Sequence, residues 1–316
     1  MKLEAVAAMA DRLLAEVSTA IVGKRDVLEL FLLAILSDGH VLIEDYPGLA
    51  KTLMAKSFAA ALGSTFRRVQ FTPDLLPADI TGTYVFDRKE GEFVLRRGPL
   101  FTHVLLADEI NRAPPKTQAA LLEAMQERQI TLEGETYPLE SPFIVVATQN
   151  PIEYEGTYPL PEAQIDRFLV RIRMGYPSQE DEVEVLERRR ARKKEEVEVR
   201  AIAKPSVVRA MQRAMEEIHV ERDVEQYVVE LVRRTRQHAS VEVGSSPRGS
   251  LALMTLARAR AALANRDFVL PDDVKAVAVP GLAHRLILKP DPWIRGVKTE
   301  SVVDEVLAEV PVPTVG

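Results

Sequence analysis

The stretch EDYPGLAKT, residues 44–52, decides the fold. It follows a short apolar run, HVLIE at 40–44, and precedes a helical pattern over 51–62 that Gly63 ends. A loop between a buried strand and a helix start gathers free backbone N–H groups at the positive end of the helix dipole, where a phosphate chain binds. Lys51 is then placed to reach the β- and γ-phosphates of a nucleotide, and Thr52 to ligate Mg²⁺. The loop residues Asp45, Pro47, Gly48, Leu49 and Ala50 are expected around the phosphates. The usual pattern is G-x-x-x-x-G-K-[ST]; here Asp45 and Ala50 stand at its two glycine positions, and Gly48 is kept inside the loop. An ordinary strand–turn–helix is the alternative when the loop is read alone.

The surrounding chain favours the phosphate reading. Apolar positions at helical spacing predict helices over 3–20 and 26–37. A strand is expected at 66–71 and further buried strands at 104–108 (VLLAD), 143–148 (FIVVAT) and 169–174 (LVRIRM), with a helix in PPKTQAALLEAMQER between the first and second of these buried runs. Short strands near 82–87 and 92–96, and again over 129–138, read as two hairpins. Apolar strands alternating with helices imply an α/β fold, a parallel sheet covered on both faces. After Tyr176-Pro177-Ser178 the pattern is mostly helical, with Ser178 as N-cap and Asp181 three residues on. The boundary expected near Pro177 gives a nucleotide-binding core over 1–176 and a helical domain over 177–316. The charged run RRRARKKEE, 188–196, reads most simply as a solvated helix end.

Four further motifs carry chemistry. In VLLADE, 104–109, a buried strand runs into two acids; Asp108 is suited to hold Mg²⁺ through its water shell and Glu109 to polarise the attacking water. Each acid alone could merely end a strand, but their order after a phosphate loop strengthens the joint reading. In ATQNP, 147–151, Asn150 ends another buried strand, where its amide can bond the γ-phosphate or orient the water; Asn-Pro is also a common turn. EAQIDRF, 162–168, precedes the last strand. In SSPRGSLALMTLARARA, 245–261, Ser245 or Ser246 caps a helix and Arg248 lies in its first turn. A cation there opposes the helix dipole and suggests an anionic partner such as phosphate; a plain exposed arginine explains it equally well.

These motifs, in this order, resemble the AAA+ family and, within it, the MoxR group. The similarity runs over nearly the whole chain and is most specific in DEINRAPPKTQAALLEAMQE, 108–127, and ATQNPIEYEGTYPLPEAQIDRF, 147–168. The resemblance implies a five-stranded αβα domain followed by a helical lid, ATP hydrolysis with Mg²⁺, and assembly into a hexameric ring. It assigns Lys51 and Thr52 to Walker A, Asp108 and Glu109 to Walker B, Asn150 to sensor 1, Arg167 to the arginine finger and Arg248 to sensor 2, the last read as sensing nucleotide in its own subunit. It likens Val22-Gly23 to a linker that packs against adenine, and the two hairpins to the helix-2 and pre-sensor-1 inserts. It implies a chaperone-like role on client proteins, with a partner carrying a von Willebrand factor A domain.

Composition bounds the alternatives. The 316 residues are 47% hydrophobic and 28% charged, with a net charge of −6, enough apolar content for a full core. The acidic balance argues against a strongly basic nucleic-acid binder. In the hairpin 82–97, Arg88, Lys89, Arg96 and Arg97 face Asp87, Glu90 and Glu92, too even a balance for a strong phosphate track. A nucleic-acid motor and the ATPase subunit of a metal-chelatase-like complex are the competing functions. There is no cysteine, and the five histidines have no ligand spacing, so thiol chemistry is excluded and a protein-held zinc is not expected. Charges at Lys2, Glu4, Asp11, Arg12 and Glu16 break any leader pattern. The longest apolar stretch, 28–36, includes Glu29 and falls short of the about 20 residues a membrane span needs. A soluble cytoplasmic protein is expected.

Overall fold

Three apolar runs form the centre of the molecule, and each is buried on both faces. A computed structural model describes residues 1–150 and 156–313; residues 151–155, part of the second signature stretch, lie outside it. The central strands are β1 (Val41–Glu44), β2 (Phe66–Gln70), β5 (Val104–Asp108), β8 (Ile144–Gln149) and β9 (Val170–Ile172). They form one parallel sheet in the order β2-β5-β8-β1-β9. Alternate side chains leave opposite faces of a strand, and the core divides accordingly. Val41 and Ile43, Val104 and Leu106, and Ile144 and Val146 join one apolar cluster. Leu42, Leu105, Ala107, Val145 and Ala147 join the other.

Helices cover both faces. α1 (Leu3–Ser18), α2 (Arg25–Leu36) and α3 (Lys51–Ala61) supply the first cluster. α4 (Pro77–Thr81) and α5 (Pro115–Glu127) supply the second. Two hairpins project from this layer, β3 (Gly82–Asp87) with β4 (Glu92–Arg97), and β6 (Gln129–Leu132) with β7 (Glu135–Pro138). α6 (Glu162–Ile165) precedes β9.

Beyond β9 come α7 (Gln179–Arg192), α8 (Pro205–Glu216), α9 (Arg222–Gln237), α10 (Pro247–Leu263), α11 (Pro271–Leu282), α12 (Pro290–Ile294) and α13 (Thr299–Glu309). This half is not wholly helical: β10 (Val241–Val243) pairs antiparallel with β11 (Ile287–Leu288). Ser178 caps α7, accepting from the Asp181 amide, and Asp181 bonds back in a capping box. The first apolar cluster runs on from α1 and α2 into α8, α10, α11 and α13, through residues such as Leu13, Leu32, Met211, Leu253, Val277 and Val302. The C-terminal helices therefore share a core with the N-terminal ones. Among the described residues no helix is long and apolar enough to cross a membrane.

Candidate active site

Because the sheet is parallel, the C-terminal ends of its strands lie along one edge, and loops leaving that edge form the crevice in which α/β folds bind ligands. The loop after β1 carries the phosphate-loop motif. Gly48 (φ 84°) and Ala50 (φ 54°) both take the left-handed region, which turns successive N–H groups inward as an anion-binding nest. Pro47 has no N–H to contribute, so the available donors begin at Gly48. No side chain caps α3, leaving its first-turn N–H groups free for an external acceptor.

Lys51 folds back and donates from Nζ to the Asp45 carbonyl at 2.7 Å. Burial pulls its pKa below the ordinary lysine value, opposed by the nearby carboxylates of Asp108, Asp45 and Glu109. Asp45, at the first glycine position, is buried. Its carboxylate accepts from the Tyr46 amide at 2.9 Å and the Gly175 amide at 2.7 Å. Asp45 thus braces the loop against the segment after β9, and its side chain is not turned to the phosphates as expected.

β5 brings Asp108 and Glu109 to the same edge. Asp108 Oδ1 accepts from the Thr148 hydroxyl at 2.6 Å, and that hydroxyl accepts from the Glu109 amide at 2.8 Å. Asp108 Oδ2 accepts from Arg68 Nε at 3.0 Å and Nη2 at 2.6 Å. Glu109 has φ 55° and starts a 3-10 turn, Ile110–Arg112. Its Oε2 accepts from Gln70 Nε2 at 2.6 Å and Arg112 Nη1 at 2.9 Å. Asn150 is buried immediately after β8, at the same edge. The sequence reading missed Arg68, Gln70 and Thr148, which hold both acids.

Beside the loop lies a cavity of about 520 Å³, a size usual for small-ligand sites. Val22, Leu49, Met174, Pro177 and Leu186 line it together with Gly48 and Ala50 of the loop. Val22 is where a base-packing residue was expected; its neighbour Gly23, at φ 61°, approaches Asp181 so closely that a Cβ would come within 2.5 Å of the carboxylate. Val185 and Leu186 of α7 are exposed yet form part of this wall. The charged run on α7 is also partly engaged, against the solvated reading. Arg188 is held by Glu184 and donates to the Ser18 carbonyl at 2.7 Å, and with Arg189 and Arg192 it lines the cavity.

Arg167 and Arg248 lie at the other edge. They line a recess with Gly39, His40 and Leu169, residues that precede β1 and β9, whereas the phosphate loop follows β1. Five residue steps of strand at about 3.3 Å each put about 16 Å between the two edges. The expectation that Arg248 senses nucleotide in its own subunit is not met by this conformation, in which Arg248 lies with Gly39 and His40, before β1, and Lys51 follows it. Arg167 Nη1 donates to the Leu122 carbonyl at 2.8 Å. Ser246, not Ser245, caps α10, accepting from the Arg248 amide at 3.2 Å. Asp166 ties the two segments together, receiving Ser246 Oγ at 3.2 Å and lying 4.0 Å from Arg248 Nη1. Arg285, not singled out from the sequence, forms the inner ion pair with Asp166.

A phosphate loop, two acids at the end of the adjacent parallel strand and an apolar cavity beside them define a P-loop nucleotide hydrolase. Comparison with known proteins narrows this. A family model described as "ATPase family associated with various cellular activities (AAA)" matches residues 40–170, and an AAA lid domain matches 233–306. The chain is 44% identical over 314 residues to Chaperone MoxR1 of Mycobacterium tuberculosis, covering 96% of this chain and 82% of that one. It is 48% identical over 297 residues to the protein YeaC of Bacillus subtilis, 94% and 92% covered. It is 33% identical over 322 residues to Protein MoxR of Methylorubrum extorquens, 94% and 93% covered. A crystal structure of a candidate ATPase from Cytophaga hutchinsonii superposes with a TM-score of 0.92 at 39% identity, covering 99% of this chain and 97% of that one. The chain belongs to the MoxR family of AAA+ ATPases.

Proposed function

We propose that this ATPase acts as a ring, the hexamer implied by its resemblance, whose complete sites form between subunits and drive the remodelling of a client protein. One observation carries the reading. Lys51, Thr52, Asp108, Glu109 and Asn150 belong to one edge of the sheet, and Arg167 and Arg248 to the other, about 16 Å away along β1. In this conformation the arginines of one chain lie away from its own phosphate loop; a neighbour's arginine edge can face this chain's phosphate edge.

In this reading the 1–176 core binds ATP with its base in the cavity by Val22 and Gly23. Lys51 draws the β- and γ-phosphates, Glu109 polarises water and Asn150 orients it. Thr52 and Asp108 offer hard oxygen donors that suit Mg²⁺. Mg²⁺ characteristically takes most of its ligands from phosphate and water, so one or two protein oxygens suffice. Bound there, Mg²⁺ would neutralise charge on the transferred phosphoryl group. Arg167 and Arg248, always cationic and planar, suit the neighbour's developing charge. The lid over 177–316 would carry Arg248 with it as nucleotide state changes.

Client contact is supported by the β3–β4 hairpin. Its tip exposes Val85, Phe86, Phe93 and Val94 on both faces, apolar area that a solitary hairpin leaves in water without evident use. Hydrogen bonds among Tyr84, Tyr137 and Glu135 link it to β6–β7, so the two can push together. The apolar tip and even charge favour a protein client over nucleic acid, and one relative is named a chaperone. A partner with a von Willebrand factor A domain remains part of the proposal by family resemblance.

Mixing tests the shared site. Lys51→Ala and Arg167→Ala chains, each inactive alone, are co-assembled. Some interfaces then pair an intact Lys51 with a neighbour's intact Arg167, and partial ATPase activity returns. Verified mixed assemblies with no recovery would remove Arg167 from the trans role.

A further inference from the structure

Both acids at the end of β5 are neutralised by arginines of their own chain, and the pairing of Asp108 has a consequence for the metal. Arg68 and Gln70 lie two residues apart on β2, so they share a face, and the parallel register sets Gln70 beside Asp108. From that face Arg68 reaches along the strand and places two N–H groups on Asp108 Oδ2, at 3.0 and 2.6 Å. Its Nη2 also donates to Gln70 Oε1 at 2.9 Å. The other carboxylate oxygen receives the Thr148 hydroxyl at 2.6 Å. A carboxylate that steadies a metal through its water shell must offer lone pairs to those waters. Here both oxygens are already accepting, one of them from a cation.

We infer that Arg68 is an internal counter-cation that competes with the divalent metal for Asp108. The inference rests on the proposed nucleotide and Mg²⁺ site. Three features suit Arg68 to this work. Its charge substitutes for part of the cation's, so Asp108 is compensated in this conformation. β2 is an edge strand, with no further strand beside it among the described residues. The Arg68 side chain is 49% exposed while that of Asp108 is 13% exposed, so Arg68 can withdraw into water and Asp108 cannot. Thr148 stays in place under either partner, because it is fixed by the Glu109 amide at 2.8 Å.

The experiment uses the full chain and a fluorescent ADP analogue, titrated first in EDTA and then across a range of Mg²⁺ concentrations. In the wild type, Mg²⁺ should tighten binding of the analogue. In Arg68→Ala the Mg²⁺ concentration giving half of that effect should fall about three- to tenfold, the scale of a half-exposed but two-pronged charged contact. Affinity in EDTA should stay within about twofold. Arg68→Lys keeps the charge without the fork and should fall between the two, which also guards against a variant that misfolds. An unchanged or raised Mg²⁺ midpoint in Arg68→Ala overturns the inference. So does a large loss of affinity in EDTA, which would make Arg68 a nucleotide contact. A wild type that fails to bind the analogue, or binds it without regard to Mg²⁺, refutes the site reading and this inference with it.

Discussion

Replacing Asp166 with asparagine isolates what holds the arginine edge together. Asp166 is an acceptor for Arg285, for Ser246 Oγ at 3.2 Å, and it lies 4.0 Å from Arg248. The Arg285 side chain is only 3% exposed. Burial pulls the Arg285 pKa down and Asp166 holds it up. Its other partners are neutral: the carbonyls of Phe168 and Gly281, each at 2.8 Å, and that of Asp166 itself at 2.7 Å. Asp166→Asn keeps the shape and one acceptor but leaves a buried cation without a counter-charge. Breaking such a pair from one side costs about 3–5 kcal/mol; the retained carbonyls put this case near the lower end, about 3 kcal/mol. For a chain of this size that lowers Tm by roughly 5–10 °C. The assay is thermal unfolding of the wild type, Asp166→Asn, Arg285→Met and the double variant. Removing both charges should restore at least half of the loss, because no unpaired ion remains. ATP turnover should fall in Asp166→Asn while binding of a nucleotide analogue is preserved, since Asp166 belongs to the edge away from Lys51. A Tm within about 2 °C of wild type, or losses that simply add in the double variant, would refute the argument.

Glu109→Gln should bind ATP within about twofold of wild type and hydrolyse it about 10²- to 10⁴-fold more slowly, the usual contribution of a positioned base. The amide oxygen can still accept from Gln70 and Arg112, so the melting temperature should barely move; turnover within tenfold of wild type would assign the base elsewhere. The same variant, loaded with ATP, is the form in which to capture a client by pull-down. Lys51 gives a pH signature. Its folded pKa lies below the ordinary 10.5, so affinity for an ATP analogue should decline as pH rises toward that lowered value, while Lys51→Arg stays charged and shows no decline. Stability should respond with the opposite sign: between the lowered pKa and 10.5 the unfolded chain binds more protons, so this group's contribution to stability rises with pH. A wild-type binding profile that stays flat as pH rises to the ordinary lysine value of 10.5 would contradict the placement of Lys51.

The parts legible in the sequence were those written in local patterns. Runs such as VLLAD and FIVVAT announce strands buried on both faces, and the loop at 44–52 announces itself by lying between such a strand and a helix. What was not legible depends on register and polarity. FRRVQ reads in the sequence only as a strand; its parallel pairing with β5 is what brings Arg68 and Gln70 to the two acids. The run at 188–196 reads as solvated because nothing local shows that the carbonyls ending α1 lie within reach of Arg188. Arg248 was legible as a cation suited to an anion, but not the edge of the sheet on which it lies. Its place depends on the sheet being parallel, so that everything before the strands collects at one edge and everything after them at the other.

The same geometry explains how the loop tolerates its two departures from glycine. At the first, Asp45 turns a side chain that could repel phosphate into a brace, its carboxylate occupied by the Tyr46 and Gly175 amides. At the second, Ala50 holds φ 54° at the start of α3, a conformation that costs an alanine about 1–2 kcal/mol relative to the right-handed region. That strain keeps the N–H groups of the first turn aimed at the crevice. Asp45 ties the loop to the segment that joins β9 to α7, so the wall bearing Leu186 and the phosphate loop are held as one piece.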